Sequence, residues 1–176
     1  MKKLFLLVAS VLCAASVANA QSFNVGDKNA SATIGLGGGY GTPIGLSYEQ
    51  GISELSDGFI LGAGGYFGYS GYNESWAYGK MVYSNIFLAA EGNVHYTKIS
   101  DKLDLYAGLR LGYNVGSCDV KFDDPQYEKY APGASAGGFI YTTHVGANYY
   151  VTDVLAINLE AGYGLASLSA GVTYRF

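Results

Sequence analysis

Five charged residues and two histidines stand inside long segments that are otherwise rich in glycine, tyrosine and aliphatic residues. Carboxylates, guanidiniums and imidazoles can transfer protons, ligate a metal ion or form ion pairs. Their spacing matches no Ser-His-carboxylate arrangement, so we predict no catalytic residue, no metal site and no cofactor. We expect these residues to form ion pairs in the interior of the folded protein instead. The seven residues are Glu49, Glu91, Arg110, Glu160, Arg175, His95 and His144.

The segments that carry these residues alternate between apolar and polar or small residues. A period of two predicts strands with one apolar face. All seven residues fall on the polar face of their strand, among Gly, Ser, Thr and Asn. The pattern predicts eight strands, at Ala32–Tyr40, Ile44–Glu49, Phe59–Tyr69, Asn85–Thr97, Leu105–Asn114, Phe139–Val151, Leu155–Tyr163 and Ser167–Phe176.

The connections between these strands fall into two groups. Three connections have the same five-residue pattern: an apolar residue, Ser or Thr, Asp, any residue, and a second apolar residue. This pattern is typical of tight turns, because Ser, Thr and Asp side chains form hydrogen bonds with their own backbone. The three connections are Leu55–Phe59, Ile99–Leu103 and Val151–Leu155. They follow every second strand and therefore lie at one end, here called the turn end. The other end, the loop end, has connections of uneven length, at Gly41–Pro43, Ser70–Met81, Gly116–Gly138 and Gly164–Ser167. Short turns at one end and variable loops at the other are typical of an up-and-down transmembrane β-barrel.

The pairing register of one hairpin can be predicted from its turn. If Ser100–Asp101 is a two-residue turn, Tyr96 lies opposite Leu105 on the apolar face. Glu91 then lies opposite Arg110 on the polar face, where opposite charges stabilise a strand pair.

Charges and aromatics indicate which face points outward. The six lysines after residue 20 fall in turns, loops or the lead-in, and the strand charges keep to the polar face. The apolar face has one aromatic band near the loop end, at Tyr40, Phe67, Tyr69, Tyr113, Phe139, Tyr141 and Tyr163, and another near the turn end, at Tyr48, Phe59, Tyr96, Tyr149, Tyr174 and Phe176. Two such bands are expected at the two membrane interfaces. A soluble, lipocalin-like barrel with an apolar interior is the alternative.

The first twenty residues have the pattern of a secretory signal peptide. Lys2 and Lys3 precede an apolar run, and Ala18-Asn19-Ala20 supplies small residues for cleavage before Gln21. We therefore divide the chain into a signal peptide at 1–20, a lead-in at 21–29 and a barrel domain at 30–176. An N-terminal membrane anchor is the alternative to the signal peptide.

Composition excludes several classes of protein. Without the two leader lysines, 8 basic and 14 acidic residues give a net charge of −6, which argues against binding to nucleic acid. No segment after the leader has 18 consecutive apolar residues, so a helical membrane protein is excluded. Cys118 is the single cysteine after residue 20, so no internal disulfide is expected.

The final segment, Ser167–Phe176, alternates up to an aromatic last residue. Together with the eight strands, it resembles the small outer-membrane β-barrels of the OmpA/OmpX type over about Ala30 to Phe176. The resemblance implies a monomer in the outer membrane of a Gram-negative bacterium, in contact with lipid and lipopolysaccharide. It also implies that periplasmic chaperones and the barrel-assembly machinery handle the chain, and that Val172, Tyr174 and Phe176 form the assembly signal.

An eight-stranded barrel has an interior that side chains can fill. We expect a lower cluster of Glu49 and Arg175, and a middle cluster of Glu91, Arg110 and Glu160 with the two histidines nearby. The predicted role is structural or surface-interacting, with polar side chains plugging the lumen. A small porin-like channel is one alternative, and a lipid A-modifying enzyme, as some barrels of this type are, is another. The acidic loop at Gly116–Gly138 is either an adhesive or cation-contacting surface or a plain solvated loop.

Overall fold

The structure is a computed structural model that describes residues 23–38, 41–124, 126–127, 131 and 133–176. The described residues form eight antiparallel strands, each paired with its neighbours in chain order, and β1 pairs with β8 to close a barrel. This confirms the predicted up-and-down topology. The strands are β1 Lys28–Leu36, β2 Ile44–Ser56, β3 Phe59–Trp76, β4 Gly79–Ser100, β5 Leu103–Phe122, β6 Ala134–Tyr150, β7 Leu155–Tyr163 and β8 Leu168–Arg175.

The outside of the barrel is apolar, as the alternation predicts. Large aliphatic and aromatic side chains of the apolar parity are exposed on every strand, whereas the seven charged and histidine residues of the other parity are buried or half-buried. The alternative of an apolar interior is therefore wrong. Within the described residues, no helix is long and apolar enough to cross a membrane.

Both aromatic bands lie on this outer surface. At the turn end Phe59 and Tyr96 pack with ring centroids 4.7 Å apart, and Phe176 lies 6.1 Å from Tyr174. Tyr40, which we assigned to the loop-end band, lies outside the described residues, as do the predicted signal peptide and the cleavage site.

Closure of the barrel depends on the last strand. β8 pairs with β1 from Asn29 opposite Arg175 to Leu36 opposite Leu168. The amide of Phe176 donates a further hydrogen bond of 3.0 Å to the carbonyl oxygen of Lys28. The backbone of the last residue is thus part of the seam, which leaves no open sheet edge in a hydrocarbon environment.

The predicted register of the β4–β5 hairpin is confirmed, but the position of its turn is wrong. Tyr96 pairs with Leu105 and Glu91 with Arg110, as expected. The turn itself is formed by Asp101–Lys102, one residue later than predicted. A β-bulge between Tyr96 and Ser100 places two extra residues on β4 and restores the register.

Four strands continue well beyond the barrel at the loop end. β3 to β6 have 17 to 22 residues, whereas β1, β7 and β8 have 8 or 9. Their projecting parts pair with one another from Trp76 opposite Gly79 to Cys118 opposite Ala134. We call residues 71–76, 79–84, 116–122 and 134–137 the sheet extension. The connection predicted at Ser70–Met81 is therefore largely strand, and so are both ends of the one predicted at Gly116–Gly138, because pairing continues where the apolar alternation weakens.

Candidate functional site

The middle of the lumen holds one guanidinium between two carboxylates. Arg110 on β5 binds Glu160 on β7 through two parallel hydrogen bonds of 2.8 Å, and its Nη2 also donates to Oε1 of Glu91 on β4 at 3.1 Å. The guanidinium lies 4.2 Å from the ring centroid of Tyr66, a cation–π contact. The predicted middle cluster is therefore present as a bidentate ion pair with a second carboxylate.

Nearer the turn end, His95 is held between two carboxylates. Its Nε2 lies 3.0 Å from Oε1 of Glu49, and its Nδ1 lies 2.8 Å from Oδ1 of Asp104. Carboxylate oxygens accept hydrogen bonds, so the arrangement suits an imidazole that donates from both ring nitrogens. The face of the ring packs on Phe23, whose centroid is 4.2 Å away.

One amide joins the two clusters. The Nδ2 of Asn93 donates to Oε1 of Glu49 at 2.9 Å and to Oε1 of Glu91 at 3.1 Å. Its Oδ1 accepts a hydrogen bond of 2.8 Å from Nε2 of His144. The three carboxylates and two histidines predicted for this region therefore belong to one continuous network.

A second set of amides and hydroxyls extends the network around the barrel. Asn158 donates to the Tyr106 hydroxyl and to Oδ1 of Asn148, both at 2.8 Å. Thr173 donates to the same Oδ1 at 3.0 Å, and Asn148 donates to Asp104 at 3.1 Å. Polar side chains from β4 to β8 are thereby linked across the lumen.

The expected lower cluster of Glu49 with Arg175 is wrong. Glu49 binds His95 and Asn93, as described above. Arg175 instead contacts Asp27 of the lead-in at 3.4 Å, donates to the carbonyl oxygen of Asp153, and lies over the ring of Tyr150 at 4.5 Å. The guanidinium therefore stabilises the turn end of the barrel rather than its lumen.

Aromatic and aliphatic side chains close the network at both ends. Phe23 and Tyr150 are fully buried at the turn end. At the loop end Phe87 is fully buried, and Leu165 is nearly so. The polar cavity between them, lined by residues such as Arg110 and Glu160, has a volume of about 20 Å³, which is room for about one water molecule.

Glycines on the lumen face make room for the large polar residues. A Cβ added at Gly62 would lie 2.0 Å from Oε1 of Glu49, and one at Gly108 would lie 1.8 Å from Oδ1 of Asn93. A Cβ added at Gly146 would lie 2.4 Å from the ring of Tyr106. The glycine-rich polar parity therefore reflects interlocking small and large residues inside the barrel.

Sequence reasoning missed several residues of this network. Asp104 is fully buried and shares the parity of Arg110, but it lies between the predicted turn, which ends at Leu103, and the predicted strand, which begins at Leu105, and was assigned to neither. Asn93 was placed on the polar face without a role. Phe23 precedes the strands and gave no signal in the alternation. Among the described residues, no group of three or more His, Cys, Asp or Glu side chains is arranged to hold a metal ion.

No family model and no curated protein matches the sequence significantly. Solved structures do match. A de novo designed transmembrane β-barrel has a TM-score of 0.56 and 20% identity, over 87% of this chain and 98% of its own. The N-terminal β-barrel domain of Pseudomonas aeruginosa OprF has a TM-score of 0.55 and 15% identity, over 86% and 98%. Ail, the attachment invasion locus protein of Yersinia pestis, has a TM-score of 0.50 and 15% identity, over 87% and 100%.

These likenesses extend over almost the whole described barrel. At identities of 15–20% they establish the fold and leave the activity open. The apolar exterior, the closed ring of eight strands and the similar structures agree: the chain has the fold of the small eight-stranded transmembrane β-barrels of outer membranes.

Proposed function

We propose that the protein is an integral outer-membrane barrel with a structural or surface-interacting role, whose lumen is sealed by its own polar side chains. The observation that carries the proposal is the size of the polar cavity, about 20 Å³. A hydrated ion needs a continuous path many times larger. The barrel then serves as a rigid anchor for whatever projects from it.

The ion pairs support a static interior. Arg110 makes three charge-assisted hydrogen bonds in a site that is almost fully buried. A buried guanidinium that leaves such partners loses several kcal/mol, on the order of 3–5 kcal/mol. An open lumen would require this pair to separate or the plugging side chains at both ends to move.

A small channel is the second candidate, and the continuous polar network favours it. Polar side chains of all eight strands line the interior, and only the ends are closed by apolar groups. Connection of the cavity to both sides would require displacement of the apolar side chains at each end, Phe23 and Tyr150 at the turn end and Phe87 and Leu165 at the loop end. The channel hypothesis therefore requires two coordinated movements.

Single-channel recording in planar bilayers tests the proposal. We expect no unitary current steps from the wild type or from Arg110→Glu. Phe87→Ala, which shortens a plugging side chain at the loop end, serves as a sensitised variant and should also stay silent, because Phe23 still closes the turn end. Unitary steps from the wild type whose ion selectivity changes in Arg110→Glu would establish the channel instead.

The sheet extension is the part of the protein that we propose meets other molecules. Ail of Yersinia pestis, which has the same fold, has been solved in complex with the heparin analogue sucrose octasulfate. In this chain the acidic residues in or next to the extension, Glu74, Asp119, Asp123 and Asp124, outnumber its lysines, Lys80 and Lys121, which makes a sulfated polyanion a poor partner. In the membrane we propose contacts with lipid and lipopolysaccharide, and during biogenesis with periplasmic chaperones and the barrel-assembly machinery.

A further inference from the structure

An aromatic pocket lies at the end of the sheet extension that is farthest from the barrel. Its volume is about 400 Å³ and its wall is almost entirely apolar. We call it the aromatic cup. It is lined by Trp76, Tyr78, Phe122, Tyr127, Asp123 and Asp124.

The local strand pairing builds the cup. Gly79 lies opposite both Trp76 and Phe122, and a Cβ added to it would lie 2.3 Å from the carbonyl oxygen of Lys121 and 3.1 Å from the indole ring. The glycine therefore permits the close approach of the β5 backbone and the indole at this position. The amide of Asp123 donates to the carbonyl oxygen of Tyr78 at 3.1 Å and joins the β3–β4 turn to the end of β5.

The rings stand at steep angles to one another. The Trp76 and Phe122 centroids are 6.1 Å apart with ring planes at 90°, and those of Phe122 and Tyr127 are 6.2 Å apart at 60°. Pairs at these distances and angles are edge-to-face contacts. The three rings therefore support one another while they line the pocket.

Membrane anchoring does not explain these aromatics. Trp76 follows Tyr69, the last aromatic of the loop-end band on β3, by seven residues, which is about 24 Å of strand. Tyr78 is 75% exposed and Tyr127 is 50% exposed. Large exposed aromatics far from a lipid interface mark a contact surface for something else.

Negative charge is concentrated beside the cup. Asp123 and Asp124 are both exposed at its edge, and Asp124 is positioned by Gln126, whose amide and side-chain nitrogens donate to it at 3.1 and 2.9 Å. Lys80 and Lys121 pair with each other on the opposite face of the same strands, because each adjoins a residue that faces the cup. The side chains of these two lysines therefore point away from the pocket.

We propose that the aromatic cup binds a quaternary ammonium group of the choline type. Ring faces attract cations, and aromatic walls are the common means of binding methylated ammonium. The nearly apolar wall favours a cation without N–H donors, because a primary ammonium needs three acceptors. The carboxylates at the edge supply the countercharge. This inference does not depend on whether the lumen conducts.

The fluorescence of Trp76 provides a direct assay, because it is the single tryptophan of the chain. The mature protein is folded in a polyoxyethylene detergent, which has no charge, no sugar and no ammonium group to compete. Choline chloride is titrated against sodium chloride at constant ionic strength. We expect a saturable change in emission. The neutral isostere 3,3-dimethyl-1-butanol, in which carbon replaces the charged nitrogen, should give no saturable change.

Variants separate the contributions of the rings from those of the charges. Tyr127→Ala should weaken choline binding about two- to fivefold, the share of one exposed cation–π contact. The double variant Asp123→Asn with Asp124→Asn should weaken it by a similar factor, about two- to fivefold, and more strongly at low salt. Asp101→Asn, in a turn at the opposite end of the barrel, is the matched charge control and should bind as the wild type does.

Replacement of Trp76 removes the fluorophore, so choline binding by that variant is measured by nuclear magnetic resonance. In Trp76→Phe, saturation transfer from the protein to the choline methyl protons should persist at reduced intensity, and the shift in gel mobility on heating checks that the barrel is folded. Equal binding of the neutral isostere would reduce the cup to an apolar depression and overturn the proposal. Saturable binding of a sugar but not of choline would overturn it too, as would no response in any titration.

Discussion

Replacing Arg110 with methionine provides the most direct measurement of how dry the lumen is. The change removes a guanidinium that donates three hydrogen bonds to two carboxylates, and it leaves Glu91 and Glu160 facing each other without a countercharge. All three side chains are at most one-tenth exposed. The free energy of unfolding should therefore fall markedly.

The size of the loss depends on the local dielectric. Two unit charges 4 Å apart attract by about 4 kcal/mol at an effective dielectric of 20 and by about 1 kcal/mol in water. Loss of one partner of a buried pair costs about 3–5 kcal/mol, whereas exposed pairs contribute about 0–1 kcal/mol. A sealed lumen thus predicts a loss near 4 kcal/mol, and a water-filled lumen a loss near 1 kcal/mol.

Urea unfolding in phospholipid vesicles measures this difference. Far-ultraviolet circular dichroism is the right probe, because Trp76 lies in the sheet extension and reports on that part only. The triple variant Glu91→Gln, Arg110→Met, Glu160→Gln removes all three charges and should recover most of the loss. Lys98→Met breaks the exposed ion pair with Asp57 and should cost less than about 1 kcal/mol.

Two outcomes would refute the sealed lumen. One is a loss for Arg110→Met no greater than that for Lys98→Met. The other is a loss that shrinks steeply as salt is raised, because screening reaches only charges in contact with solvent. Either result would mean that water and ions surround the guanidinium.

Three further predictions concern the lumen, the lipid face and the seam. Gly62→Ala puts a methyl group 2.0 Å from the Glu49 carboxylate and should lower the free energy of unfolding by about 1–3 kcal/mol, because it displaces that carboxylate. The control Gly92→Ala, with no neighbouring atom nearer than 4.0 Å, should change the free energy of unfolding by less than about 0.5 kcal/mol. Equal effects of the two variants would contradict the interlocking interior. Leu109→Arg, on the lipid face, should lower the free energy of unfolding in vesicles by about 2–4 kcal/mol, whereas Asp119→Arg on the sheet extension should leave it nearly unchanged. Equal losses for the two variants would mean that both positions face water. Deletion of Phe176 should reduce the amount of heat-modifiable, folded protein in the outer membranes of cells, while the purified variant still refolds in vesicles. If the variant fails to fold both in cells and in vesicles, the role of the residue is purely structural.

Much of the barrel could be predicted from alternation, because lipid outside and packed side chains inside force a period of two. The turns could be predicted from Ser, Thr and Asp. The register of β4 with β5 was predicted from its turn, and Glu91 does pair with Arg110 even though the turn was misplaced. A bulge near Ser100 compensated for that error, and a bulge leaves no mark in an apolar pattern.

The strand ends and the lower cluster could not be predicted in the same way. Beyond the membrane no lipid requires alternation, so β4 and β5 continue through polar and small residues that read as loop. Glu49 and Arg175 share a parity and an end of the barrel, but parity does not fix the height or the direction of a long side chain. Arg175 reaches Asp27, which belongs to the lead-in rather than to a strand.

The placement of glycines bears on what the interior can do. A conducting pore of this width would need small residues facing one another across an open axis. Here Gly62 and Gly108 each lie against a large polar side chain, Glu49 and Asn93, and the space that each glycine saves is occupied. Enlarging the lumen would therefore expose paired charges and empty glycine-lined pockets at the same time. In the sheet extension a ligand can bind without separating these buried ion pairs. A ligand-binding site is therefore more easily formed there than inside the barrel.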